Sequence, residues 1–226
     1  MSSLLSYLTI TKKVTMSISG IFLLLFLIVH LGINIFILPI TENHKEIFRE
    51  AVHFMTSNPV IKVFEIVLFG AFIIHAIWGI VIQIKNWMAR PSRYKVRKTN
   101  ETSYFSKFMI HTGIIIIIFL TIHFINFYFV KLGITDPPEG MLRVANNHDF
   151  HSMAVNLFSN PFYSILYIVL LILLGFHLNH AFQSAFQTLG INHPVYTPVI
   201  KAAGDFYSIV IPLGFCLIPL YFLIYY

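Results

Sequence analysis

Charge is what this sequence has least of: 11% of its 226 residues are Asp, Glu, Lys or Arg, against 57% hydrophobic. A water-soluble domain of this size could not keep so much apolar surface from solvent, so a soluble globular fold is excluded. Cysteine is almost missing too. The lone Cys216 leaves no disulfide framework and no Cys-x-x-Cys-His segment for covalent haem attachment. Acids are rare where the chain is most apolar, and Glu65 is the only one well inside any apolar run. That scarcity argues against a proton path of buried carboxylates, and with it against a proton-coupled transporter.

What the chain has instead is five long apolar runs, at residues 15–38, 59–85, 107–131, 161–186 and 206–226. Each exceeds the roughly 18 residues that mark a spanning helix, and at about 1.5 Å per residue each can cross a bilayer. The first run is too long for a signal peptide, lacks a small-residue cleavage site and is followed by four more, so it reads as a retained helix. The expected fold is an all-α integral membrane protein, one domain over 1–226, built as a five-helix bundle.

The net charge of +6 is spread as topology would spread it, not as a nucleic-acid footprint. With the N-terminus cytoplasmic, ten Lys and Arg residues fall inside and five outside, the bias expected of a multi-pass protein. Most of the inner ones lie in the basic stretch 85–107, which could also receive a peripheral partner or a haem propionate. Five crossings place the C-terminus outside, where Tyr221, Tyr225 and Tyr226 suit an interfacial aromatic belt.

Eleven histidines remain to be sorted. His44, His53, His148 and His151 fall in outer loops, and His193 in an inner one. His30, His75, His111, His123, His177 and His180 lie in or near spans, where an ionisable residue is a functional candidate by default. An internal repeat ranks these six. Gly20, Phe26, Leu27 and His30 recur with the same spacing as Gly113, Phe119, Leu120 and His123. Ser57-Asn58-Pro59 precedes His75 as Ser159-Asn160-Pro161 precedes His177, each histidine 16 residues after its proline. A two-helix unit therefore occurs twice in parallel orientation, and a fifth helix closes the bundle.

The repeat sets depth as well as identity. His30 and His123 sit at matching height toward the outer surface, and His75 and His177 at matching height toward the inner one. By helix-rise arithmetic the levels differ by roughly 10–15 Å. Two imidazole pairs at two depths are what two stacked bis-histidine haems require, each iron taking one nitrogen from either side. A single histidine in a bundle is more often a hydrogen-bonded core residue. Four at repeat-related positions favour haem. Gly79 and Ala181, four residues after His75 and His177, leave room for a flat ring to approach the backbone. His180, with Ser184 four on, passes the same test, but the proline spacing favours His177.

With these residues in view, the chain resembles the diheme, five-helix cytochrome b anchor subunit of succinate dehydrogenases and fumarate reductases. The likeness covers nearly the whole length. Its most specific pieces are Phe26-Leu27-Ile28-Val29-His30-Leu31, Ile74-His75-Ala76-Ile77-Trp78-Gly79 and the stretch 176–190, FHLNHAFQSAFQTLG, which looks like the version found in the Bacteroidetes branch. The resemblance implies two b haems, the outer on His30 and His123 and the inner on His75 and His177. It implies a flavoprotein and an iron–sulfur partner that carry out the succinate–fumarate chemistry, with menaquinone or another quinone as the membrane carrier. It also implies a bacterial cytoplasmic membrane. Where some diheme fumarate reductases carry a glutamate two residues before the fourth ligand, this chain has Gly175. Ser17, by family position, is a candidate propionate contact.

Polar residues near the expected haem levels are Asn34, Asn126 and Glu65 at the outer one, and Ser17, His111, His180 and Gln183 at the inner one. Each serves equally as a helix–helix hydrogen bond, so the sequence picks out no quinone site. Two other functions stay open: the diheme membrane subunit of another quinone-linked dehydrogenase, and a haem-free channel or transporter with structural histidines.

Overall fold

The computed structural model describes residues 2–88, 108–136 and 149–225. Among these residues there is no strand, and five helices are long and apolar enough to cross a membrane. The basic stretch 89–107, Arg143 and His148 lie outside the described residues.

Helix α1 (Ser2–Asn34) ends in a 3-10 turn, Ile35–Ile37. Then come a short α2 (His44–Ser57) and the spanning α3 (Pro59–Met88). The spanning α4 (Met109–Lys131) contains a π turn at Phe124–Tyr128. A short α5 (Phe150–Phe158) precedes the spanning α6 (Pro161–Thr188) and α7 (Tyr196–Tyr225). The order is thus long–short–long, long–short–long, long. Both inner repeats start α3 and α6 with the same device. Asn58 Oδ1 accepts the Val60 N–H at 2.9 Å, and Asn160 Oδ1 accepts the Phe162 N–H at 3.0 Å. The intervening prolines have no N–H to satisfy.

Two features differ from the sequence expectation. α7 begins at Tyr196, ten residues before the apolar run does, because Lys201 and Asp205 interrupt the hydropathy without breaking the helix. The outer loops contain helices: α2 carries His44 and His53, and α5 carries His151. These two short helices pack on each other, and α2 also on the 3-10 turn, closing one end of the bundle, the capped end. Phe48 of α2 is buried, as are Ala154, Leu157 and Phe158 of α5. Asp149 caps α5, its carboxylate accepting the Ser152 N–H at 3.2 Å and the Ser152 hydroxyl at 2.7 Å. His44 Nδ1 donates to the Phe36 carbonyl at 3.1 Å, and its ring lies 5.9 Å from that of His151.

The tightest packing is between α6 and α7, where Leu170, Leu171, Leu174 and Leu178 face Ile211, Phe215, Ile218 and Phe222. Pro212 lacks the N–H that would have bonded the Ser208 carbonyl, and Gly175 of α6 packs against that oxygen. A Cβ at Gly175 would stand 3.0 Å from Ser208 O and 3.3 Å from Pro212 Cγ. A glutamate at this position would need the helices to part. The Tyr207 hydroxyl donates to the Leu24 carbonyl at 2.6 Å and ties α7 to α1. α3 has no buried residue and sits at the edge, with Val63, Phe64 and Ile66 exposed as a lipid-facing helix would have them.

Gly175→Val is expected to destabilise the bundle by about 1–3 kcal/mol through overpacking, read as a lower unfolding midpoint in detergent. Gly32→Ala, where an added Cβ meets nothing within 4 Å, is expected to leave the midpoint unchanged. The cap carries a pH dependence. Burial, with help from Lys45 and His44, holds the His151 imidazole below its ordinary pKa. As pH falls below about 6.5 the unfolded chain takes up this proton before the folded one does, so the cap loses stability on the acid side. Hydrogen-exchange protection in α5, corrected for the intrinsic pH dependence of amide exchange, should fall between pH 7 and 5, and His151→Phe should flatten that profile.

Candidate cofactor site

One elongated cavity runs through the bundle between α1, α3, α4 and α6. Its α1 wall extends from Met16 to Ile37, about 30 Å by helix rise. His30, His75, His123 and His177 all line it. His111 and His180 do not, and His111 is exposed. The cavity therefore selects the same four histidines as the repeat, and it takes His177 where the sequence also left His180 open.

The four come in two pairs. His30 and His123 lie toward the capped end with ring centroids 5.9 Å apart and planes at 88°. His75 and His177 lie toward the opposite end, close enough for their charges to interact. His75 reaches α1 at the height of Met16 and Gly20, ten or more residues from His30, so the levels are about 15 Å or more apart.

The surroundings of the second pair repeat in detail. His75 Nδ1 lies 3.2 Å from the Met16 carbonyl, and His177 Nδ1 lies 3.2 Å from the hydroxyl of Thr112, beside the Met109 carbonyl. Met16 is four residues before Gly20 and Met109 four before Gly113. A helical side chain covers the turn before its own Cα, so glycine at these positions uncovers the carbonyl four residues back. A Cβ at Gly20 would stand 3.2 Å from His75 Cε1, and one at Gly113 3.6 Å from His177 Cε1. The repeated glycines thus seat the histidines of the neighbouring helices. Ser19 donates to the Met16 carbonyl at 2.9 Å and Thr112 to that of Met109 at 3.0 Å.

These contacts decide the tautomers. A carbonyl can only accept, so Nδ1 of His75 must carry the proton. The Thr112 hydroxyl gives its own proton to the Met109 or Phe108 carbonyl and so accepts from Nδ1 of His177, leaving Nε2 of both rings with a free lone pair. That is the state of a metal-ligating imidazole, its other nitrogen held by an acceptor. The first pair is held differently. Asn34 Nδ2 donates to the His30 carbonyl at 2.7 Å and lies 3.3 Å from His30 Nδ1. His123 Nδ1 is buried without a hydrogen-bond partner among the described residues, and the π turn begins at the next residue. Such turns are frequent at functional sites. Asn126 donates to the Tyr167 hydroxyl at 3.0 Å.

The residues fit haem. A bis-imidazole iron centre needs ring centroids roughly 6 Å apart, from two metal–nitrogen bonds of about 2 Å plus the ring radii, and the first pair has that spacing. A bare ion would want three or four protein ligands, and among the described residues no group of three His, Cys, Asp or Glu side chains could hold one. Pairs of histidines across an apolar slot suit a ring that brings its own four donors.

Other sequence candidates divide. Ser17 is buried and lines the cavity, as do Asn34 and Ala181. Gly79 and Gln183 do not line it. Glu65 pairs with Lys131 at 3.8 Å, between α3 and α4. Sequence reading missed Met16, Met109, Ser19 and Thr112. Carrying the repeat four residues upstream would have found them, but they act largely through carbonyls, which leave little trace in residue type. Compared with known protein families, characterised proteins and solved structures, the chain matches none.

Proposed function

We propose that this chain is a two-haem cytochrome b, with one b haem between His30 and His123 and another between His75 and His177. The observation that carries the reading is a single cavity lined by both pairs, in which hydrogen bonds to Nδ1 of His75 and of His177 leave Nε2 free for a metal. When bound, haem supplies a reversible one-electron carrier, which no side chain in this core can be. The chain supplies the rest. The Met16 carbonyl and the Thr112 hydroxyl hold two imidazoles as neutral ligands, Gly20 and Gly113 make room for them, and Phe119, Leu174 and Phe215 line the cavity with apolar surface that excludes water.

The sequence resemblance extends the proposal to the membrane anchor of a succinate:quinone oxidoreductase. In that reading a flavoprotein and an iron–sulfur subunit dock on the basic side, next to the His75/His177 level. Quinone is the redox partner within the membrane, a bacterial cytoplasmic membrane with the N-terminus inside. The four histidines and the cavity are this chain's contribution; the succinate chemistry belongs to the partners.

Pyridine haemochrome analysis of the purified protein should give two b haems per chain. His30→Ala, His75→Ala, His123→Ala and His177→Ala should each cost one haem or shift its spectrum, while His180→Ala should retain both. A well-folded preparation without haem would sink the cytochrome reading. Co-purification with a flavoprotein that oxidises succinate would support the anchor; an enzyme with another substrate would assign the cytochrome to a different quinone-linked dehydrogenase.

A further inference from the structure

The two halves of the inner site repeat the same arrangement, and one contact breaks the match. Ser19 and Thr112 occupy the same place in the repeat, and each donates its hydroxyl proton to the methionine carbonyl three residues back. Ser19 makes no hydrogen bond to His75 among the described residues. Thr112 does reach its histidine: Oγ1 lies 3.2 Å from His177 Nδ1. Its one proton has carbonyls to go to, Met109 O at 3.0 Å and Phe108 O at 3.3 Å. Oγ1 therefore meets Nδ1 as an acceptor, and the shared proton belongs to the ring.

We propose that Thr112 is a positioning residue for His177, fixing the plane of its imidazole and the tautomer that turns Nε2 to the cavity. His75 Nδ1 bonds a backbone carbonyl, that of Met16. His177 Nδ1 bonds a side-chain hydroxyl instead, and the direction of that bond sets the ring plane as well as the tautomer. Threonine is suited to this, because its branched side chain is stiff and its back-bond to the helix locks χ1. The looser seat at Gly113, 3.6 Å against 3.2 Å at Gly20, means that packing restrains His177 less than His75 and leaves more to the hydroxyl. In ligation this makes the inner pair unequal, with one ring held on a backbone carbonyl and the other on a side-chain hydroxyl.

The consequence for a bound haem rests on the two-haem reading; the hydrogen bond itself does not. The g anisotropy of a low-spin ferric haem with two imidazole ligands depends on the angle between the ligand planes. In electron paramagnetic resonance of the oxidised holoprotein, Thr112→Val should move one of the two low-field g signals and leave the other in place. Thr112→Ser should return the wild-type signal, and Ser19→Ala should move neither. An unmoved spectrum in Thr112→Val at full haem content would overturn the proposal. So would loss of a haem in Thr112→Val that Thr112→Ser fails to restore. Should the wild-type protein bind no haem, the two-haem reading fails, and nitrogen-15 NMR of histidine-labelled protein decides the remainder. A protected His177 Nδ1–H resonance that shifts in Thr112→Val supports the positioning role; an unshifted one ends it.

Discussion

A histidine surrounded by hydrocarbon must give its one N–H to an acceptor, and in a helix bundle nearly every backbone carbonyl is already engaged. The structure meets this constraint in related ways twice. Met16 and Met109 keep carbonyls within reach because the residues four further on are Gly20 and Gly113, with no side chain to cover them. The Met16 carbonyl sets the tautomer of His75, and the Thr112 hydroxyl, which gives its own proton to Met109, sets that of His177. The repeat seen in the sequence is in physical terms a repeated way of seating an imidazole.

Much of this was legible in the residues, for identifiable reasons. Hydropathy located the five spans because membrane helices need about 20 apolar residues with few charges. The Asn-Pro pairs at Asn58-Pro59 and Asn160-Pro161 gave helix starts to the residue, since the cap depends on side chains that sequence records. Four histidines emerged from spacing alone, and all four line one cavity. The illegible parts share a different property. The ten-residue extension of α7 is helical but not apolar. α2 and α5 are too short and too mixed in polarity to stand out from loops. The carbonyls of Met16 and Met109 carry no residue signature, and the departure of Gly79 from the cavity depends on how α3 is rotated, which spacing does not set.

The short helices make the capped end a packed surface, while α3 remains at the margin. α5 contributes Phe150, Ala154 and Phe158 to the cavity wall, so the contact between His44 and His151 bears on the same space that the intramembrane histidines line. Gly175 and Pro212 do comparable work between α6 and α7, where a carbonyl released by proline is covered by a residue small enough to reach it.

The repeat does not persist to the capped end. After His30, α1 tightens into a 3-10 turn; after His123, α4 widens into a π turn. Winding changes of opposite sense rotate the downstream side chains of the two helices in opposite directions. One histidine keeps the amide of Asn34 beside it, and the other has the ring of Phe127 at 5.1 Å. Both histidines have a phenylalanine ring at 5.1 Å, so the two walls of this slot differ by the amide of Asn34, which only the His30 side carries. A planar guest seated there meets two unlike faces, and its two ways up are no longer equivalent.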